Sequence, residues 1–94
     1  MNDAEDWDYR LTPRARDDLR ALDADIAERI VHKLDDVVSS EFRAPPDWLE
    51  PLQGTEYQKL VIGDYRTLLL VRYIEHMLEV HHVGDRRNIY DRVL

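Results

Sequence analysis

Arg66 and Arg72 lie in a run, Tyr65–Ile74, that is otherwise mostly aliphatic and aromatic. A guanidinium on an apolar surface is costly without an anionic partner. Two partners fit: an internal carboxylate, for Arg66 either Asp64 or Asp85, or a phosphate from a ligand. Lys59 precedes this run, and Arg86-Arg87 follow it after one turn and a third strand. That spacing lets Lys59, Arg66 and Arg86 converge at one end of a sheet. Such a cluster could bind a phosphodiester and stabilise charge developing on it. The plainer alternatives are an exposed Lys59 and an Arg86-Arg87 pair in a solvated turn.

The elements that would position these cations are three consecutive strands, Tyr57–Ile62, Tyr65–Ile74 and Met77–Val83. Turns at Gly63-Asp64 and Glu75-His76 join them, and Gly84 is expected to break the third. Side chains alternate faces along a strand. Arg66, Leu68, Leu70, Arg72 and Ile74 should share one face, and Tyr65, Thr67, Leu69, Val71 and Tyr73 the other. Neither face is purely polar, which implies a central strand covered on both sides. His81 and His82, being adjacent, should point to opposite faces: His82 with Leu78 and Val80, His81 with Glu79 and Val83. They would then not chelate one metal.

The first half of the chain must supply the cover. Tyr9–Leu11 reads as a short edge strand. Thr12-Pro13 is a helix start, with Thr as N-cap and Pro at the first helical position. Ala15, Leu19 and Leu22 recur at helical spacing, leaving Arg14, Arg16, Asp17, Asp18 and Arg20 on the wet side. Asp23 can cap a second helix, whose apolar stripe is Ile26, Ile30, Leu34 and Val37. Residues 41–55 form a connector in which Pro45-Pro46 and Pro51 exclude regular helix. Trp48, Leu49 and Leu52 should tuck from it onto the core. The expected class is α+β, ordered β-α-α-β-β-β: a helix hairpin packed on a twisted, mainly antiparallel four-stranded sheet. Residues 1–8 read as a flexible acidic terminus anchored by Trp7, and residues 9–94 as one domain.

Composition narrows the classes. No apolar run approaches the ~20 residues of a membrane span, and no signal peptide is visible. The absence of cysteine removes disulfides and thiolate metal sites and fits a cytoplasmic protein. No zinc, P-loop, dinucleotide or nucleophile-elbow pattern occurs, so neither metal nor cofactor is expected. The chain holds 20 acids and 13 bases, for a net charge of −7. Asp dominates the acids and Arg the bases, a balance that looks like a halophile's surface, with ordinary acidity the alternative. Residues 1–55 carry all of the net negative charge, so an anionic ligand should meet the C-terminal half.

The element order, together with GDYR (63–66), Leu52-Gln53-Gly54 and VGDRRNIY (83–90), resembles the RelE/ParE toxin superfamily, its RelE branch more than ParE. The resemblance spans about residues 9–92. It implies a RelE-like microbial-RNase type fold and a toxin of a toxin–antitoxin system. The implied activity is ribosome-dependent cleavage of mRNA (an mRNA interferase). The implied partners are a cognate antitoxin that neutralises it, the ribosome with its mRNA, and operator DNA only through the antitoxin complex. By position, Arg66 matches a phosphate-binding arginine, Arg86 an arginine that stabilises the scissile phosphate, Tyr90 the tyrosine that orients the base, and Lys59 a catalytic lysine. Arg72, Arg87 and Tyr57 are the expected further RNA contacts, a structural role being the alternative for Arg72. Two positions depart from the family pattern: Val61 lies where a further base is common, and Asp85 where a histidine is. A gyrase-inhibiting toxin of the ParE kind is one alternative. A catalytically weakened member that binds its antitoxin and represses its operon is the other.

Overall fold

Strands β1 (Asp8–Leu11), β2 (Glu50–Pro51), β3 (Gln58–Ile62), β4 (Tyr65–Arg72) and β5 (Met77–Asp85) form one sheet in the computed structural model, which describes residues 6–94. Their order is β1-β5-β4-β3-β2. β1 runs parallel to β5, and every other pair is antiparallel. Helices α1 (Pro13–Arg20) and α2 (Ala24–Ser39) follow β1 and cover one face. The expected α+β order is present, with five strands rather than four. The extra strand, β2, pairs Glu50 with Lys59 and Pro51 with Gln58. Pro51 is tolerated there because an outer edge needs no N–H. Among the described residues no helix is long and apolar enough to cross a membrane.

Local chemistry explains the helices. The Thr12 Oγ1 accepts the Ala15 N–H at 3.2 Å, and Pro13 opens the first turn. Asp23 occupies the N-cap of α2, but its side chain makes no capping hydrogen bond. Ile30, Leu34 and Val37 of α2 and Ala15 and Leu19 of α1 pack on Leu60, Ile62, Leu69, Leu78, Val80 and Val83. Burial of each large aliphatic side chain contributes ~1.5–3 kcal/mol. A second, smaller core lies on the opposite face, where Leu52, Leu68 and Ile89 meet Tyr57, Tyr90 and Val93. Leu68 and Leu69 are both fully buried, one in each core. β4 is therefore the central strand covered on both sides, as its sequence implies.

Four expectations need correction. Asp18 is not on the wet side: it is buried, because β1 stops opposite Val80 and leaves the edge of β5 open beyond it. The Asp18 Oδ2 fills that gap by accepting the Val83 N–H at 2.9 Å. Gly84 does not break β5, which runs on to Asp85 with Gly84 opposite Arg66. Its missing side chain instead admits Ile89, whose Cδ1 lies 3.1 Å from where a Cβ would stand. Ile74 is not on the face of β4. The strand ends at Arg72, and Ile74 sits at the tip of a turn, fully exposed.

Fourth, His81 and His82 do not point to opposite faces. The β4–β5 register steps from Leu68↔His82 to Leu69↔Val80, so His81 is an extra residue. This β-bulge resets the alternation. Leu78, Val80 and Val83 all face the helices, while His81 and His82 both lie against the Tyr57 ring, at 5.6 and 5.4 Å between centroids.

Of the stretch 1–8, expected to be frayed, residues 1–5 lie outside the described residues. Trp7 stacks on His76 at 4.9 Å, and Asp8 opens β1. His76 takes a positive φ of 53°, consistent with the turn role expected of it.

Candidate functional site: the cationic end of the sheet

Leu60 and Ile62 face the helices, which turns Lys59 and Val61 to the other face of β3. On β4 the same logic turns Arg66 and Leu68 outward. Val61 pairs with Arg66 and Lys59 with Leu68, so Lys59 and Arg66 are diagonal neighbours across the hairpin. Such neighbours lie ~7–8 Å apart.

The C-terminal 3₁₀ turn, Ile89–Arg92, brings Tyr90 between them. Arg66 Nε donates to the Tyr90 hydroxyl at 3.2 Å, and the Lys59 ammonium stands 6.0 Å from the Tyr90 ring centroid. Arg66 Nη1 also donates to the carbonyls of Gly63 and Tyr65, at 3.0 and 2.9 Å. Of the two partners the sequence allows for Arg66, neither Asp64 nor Asp85 is engaged. Among the described residues no carboxylate lies within salt-bridge distance of it. Lys59 has a loose cross-strand partner in Glu50, at 3.8 Å.

Arg86 joins at the same end. Its backbone N–H donates to the Asp64 carbonyl at 2.8 Å, and its Nε lies 3.6 Å from the Asp64 carboxylate, both side chains being well exposed. Arg87 is differently employed. It binds Asp85 through Nε and Nη2 at 3.2 and 3.3 Å, and its N–H adds a third bond at 2.8 Å. These bonds lower the Asp85 pKa and neutralise the acid that would otherwise repel a phosphate here.

The remaining expected residues lie elsewhere on that face. Arg72 is at the opposite end of β4, ~20 Å along the strand from Arg66, and binds Glu79 at 2.9 Å. Tyr57 immediately precedes β3 and packs against His81 and His82.

Sequence reading missed several participants. Glu79 gathers Arg10, Arg72 and His81 on one buried carboxylate. Hydrogen bonds from His81, then Arg10, hold its pKa down at about 2. Arg92 joins the Asp18 carboxylate at 2.7 Å and reaches His82 Nδ1 at 3.4 Å. Arg29 of α2 rests against Gly63. The contacts of Arg10 with Glu79, Arg92 with Asp18 and Arg29 with Gly63 join distant parts of the chain, so no sequence spacing signals them, whereas Glu79 and His81 share a face by strand alternation. Among the described residues no cluster of His, Asp and Glu could hold a metal ion.

No family model and no curated protein matches this sequence. Solved structures do match. The RelBE2 toxin–antitoxin complex of Mycobacterium tuberculosis aligns at 24% identity and TM-score 0.74, over 85% of this chain and 98% of that one. The fold is that of the RelE toxins. The archaeal RelE–RelB complex of Pyrococcus horikoshii aligns at 16% identity and TM-score 0.68, over 88% of this chain and 98% of its counterpart. A mutant of the Escherichia coli toxin RelE in the free state aligns at 21% and 0.63, over 94% and 98%. The RelE-like fold thus spans almost the full length of each counterpart.

Proposed function

We propose that the protein is the toxin of a toxin–antitoxin pair, a RelE-type endoribonuclease that cuts mRNA on the ribosome. One observation carries the reading. Arg66 lacks an internal carboxylate among the described residues and is aimed by the Tyr90 hydroxyl, with Lys59 across the same ring. A guanidinium so placed is available to a phosphate, with which it forms charge-assisted hydrogen bonds.

Cleavage begins with attack by the ribose 2′-oxygen on phosphorus. Lys59, once it has given up its own proton, takes the hydroxyl proton as base. Arg66 and Arg86 balance the charge of the phosphorane. Tyr90 accepts from Arg66, which fixes its ring beside the substrate and leaves the phenolic hydrogen for a substrate oxygen. The bond to the 5′-oxygen then breaks, that oxygen taking a proton from solvent water, and a 2′,3′-cyclic phosphate and a 5′-hydroxyl are left. Tyr57 offers a stacking surface. Arg87 serves the site through Asp85, and Arg72 serves the sheet through Glu79.

The matched structures include toxin–antitoxin complexes, which supports a cognate antitoxin as partner here too. Operator DNA would be met only through that complex. The setting would be a cytoplasm, and the Asp-rich surface suggests a salty one. One observation favours a catalytically weakened member instead: Val61, half exposed beside Arg66, stands where the family commonly carries a further base.

Expression in a host lacking the antitoxin, with mapping of mRNA 5′ ends on stalled ribosomes, tests the proposal. Cuts within codons are expected. Growth arrest with intact mRNA and blocked supercoiling would indicate a ParE-like target, and no growth effect would indicate the weakened member.

A further inference from the structure

Three guanidinium groups from three different elements meet at the Gly63-Asp64 turn. Arg66 donates to the Gly63 carbonyl. Arg86 donates its N–H to the Asp64 carbonyl and faces the Asp64 carboxylate. Arg29 arrives from α2, on the helix side: a Cβ on Gly63 would stand 2.8 Å from its Nη2. The φ of Gly63, +58°, is one that asparagine also adopts readily. The Arg29 guanidinium is the flexible end of its side chain and could yield to a Cβ, so the positive φ is the reason for glycine, and the contact only places Arg29 at the turn.

The charge around the turn does not balance. Among the described residues no carboxylate lies within 4.0 Å of Arg29. Among the described residues Asp64 is the one acid that engages any of the three, through Arg86 alone, and its side chain is 73% exposed. Asp85, the other nearby acid, is engaged by Arg87. Like charges gathered at one point repel unless an anion joins them. The cations also sit on two sides of the turn, Arg66 toward the open face and Arg29 toward the helices. A polyanion passing over the turn reaches both.

We propose that Arg29 holds a second RNA phosphodiester, next to the one gripped by Arg66 and Lys59, so that the RNA strand runs over the Gly63-Asp64 turn. The inference rests on the endoribonuclease reading and extends its substrate path. That path leaves the sheet at its cationic end and does not follow the open face toward Arg72, whose charge Glu79 already meets.

Binding of a short 2′-O-methyl oligoribonucleotide, which the enzyme cannot cleave, is measured by fluorescence anisotropy across a KCl series. Arg29→Gln should weaken binding several-fold and reduce the slope of log K against log salt by about 0.7, the loss of one phosphate contact on a single strand. Arg29→Lys should keep the slope. Parental affinity and slope for Arg29→Gln would overturn the inference, as would a parent protein that does not bind the oligoribonucleotide. Arg29-dependent binding in a protein that leaves ribosome-bound messages intact would uphold the phosphate grip and reject the cleavage reading.

Discussion

The Asp18 carboxylate of α1 accepts the Arg92 guanidinium at 2.7 Å, and the same oxygen accepts the Val83 N–H at 2.9 Å. One buried acid thus ties the first helix, the edge of β5 and the C-terminal turn that carries Tyr90. Asp18→Asn keeps the shape but weakens the acceptor and removes its charge. It should cost about 2–3 kcal/mol in urea unfolding, since hydrogen bonds to charged groups contribute ~1.5–3 kcal/mol and a buried donor is left poorly paired. Arg92→Ala should cost less, because the Arg92 side chain is 36% exposed. Asp18→Asn as stable as the parent would refute this account of the edge.

Tyr90→Phe tests the aiming of Arg66. It removes the hydroxyl that Arg66 Nε meets at 3.2 Å and keeps the ring beside Lys59. Single-turnover cleavage of ribosome-bound mRNA should slow by roughly 10–100-fold, the equivalent of one charge-assisted hydrogen bond. Tyr90→Ala should be slower still. Equal rates for Tyr90→Phe and the parent would remove the hydroxyl from the mechanism.

Glu79 makes the fold acid-sensitive in a defined window. Its pKa falls from the ordinary 4.5 to about 2, through hydrogen bonds from His81, Arg10 and Arg72. Between those values the native state binds fewer protons than the unfolded chain. The Glu79 contribution is therefore complete above pH 4.5 and is lost as pH falls toward about 2. Thermal melts across this range should show a shallower decline for Glu79→Gln than for the parent, from a lower starting stability at neutral pH.

His82 sets a second window nearer neutrality. Burial, and then the Arg92 charge, lower its pKa below the ordinary 6.5. Its stabilising effect is complete above 6.5 and declines as pH falls through that value toward the depressed one. Arg92 has no acceptor, so its approach to Nδ1 at 3.4 Å requires that nitrogen to be bare. The ring proton then sits on Nε2, facing the Tyr57 hydroxyl at 3.5 Å. Nitrogen chemical shifts of the His82 imidazole at neutral pH should report the Nε2–H tautomer. An Nδ1–H signal would show that the Arg92 contact does not form.

Salt should stabilise the protein. With a net charge of −7, surface repulsion at low ionic strength works against compaction. At 1 M salt the screening length is ~3 Å. A gain of about 1 kcal/mol would raise Tm by about 4–8 °C for a domain of this size. A melting temperature indifferent to KCl between low and molar concentrations would remove the halophile reading.

The fold was legible where local rules decide it. Thr12-Pro13 starts a helix by cap chemistry, the Ile30–Leu34–Val37 stripe marks a buried face, and Gly63-Asp64 closes a hairpin. The cationic set was legible in part. Lys59, Arg66 and Tyr90 do meet, and Arg86 comes to the same turn. What escapes is which acid each base meets: Arg72 meets Glu79 across the β4–β5 hairpin, and Arg87 meets Asp85, just before it in the chain. Asp18 reads as a wet helical residue because nothing local says that β1 will stop at Leu11. Arg29 belongs to the acidic half of the chain, where an anion contact was not expected. Strict alternation puts His82 with Leu78 and Val80 and turns Val83 away from them, because it cannot foresee an inserted residue.

That inserted residue has a consequence for how the strand tolerates change. The backbone before His81 and the backbone after it obey opposite parity, and the histidine is the joint between the two phases. Deleting it would leave plain alternation, with His82 still opposite Leu68 and Val83 still toward the helices. Forcing it into a regular ladder position would instead turn Val83 to the open face and take Gly84 from under Ile89. The strand therefore tolerates loss of the histidine better than loss of the bulge.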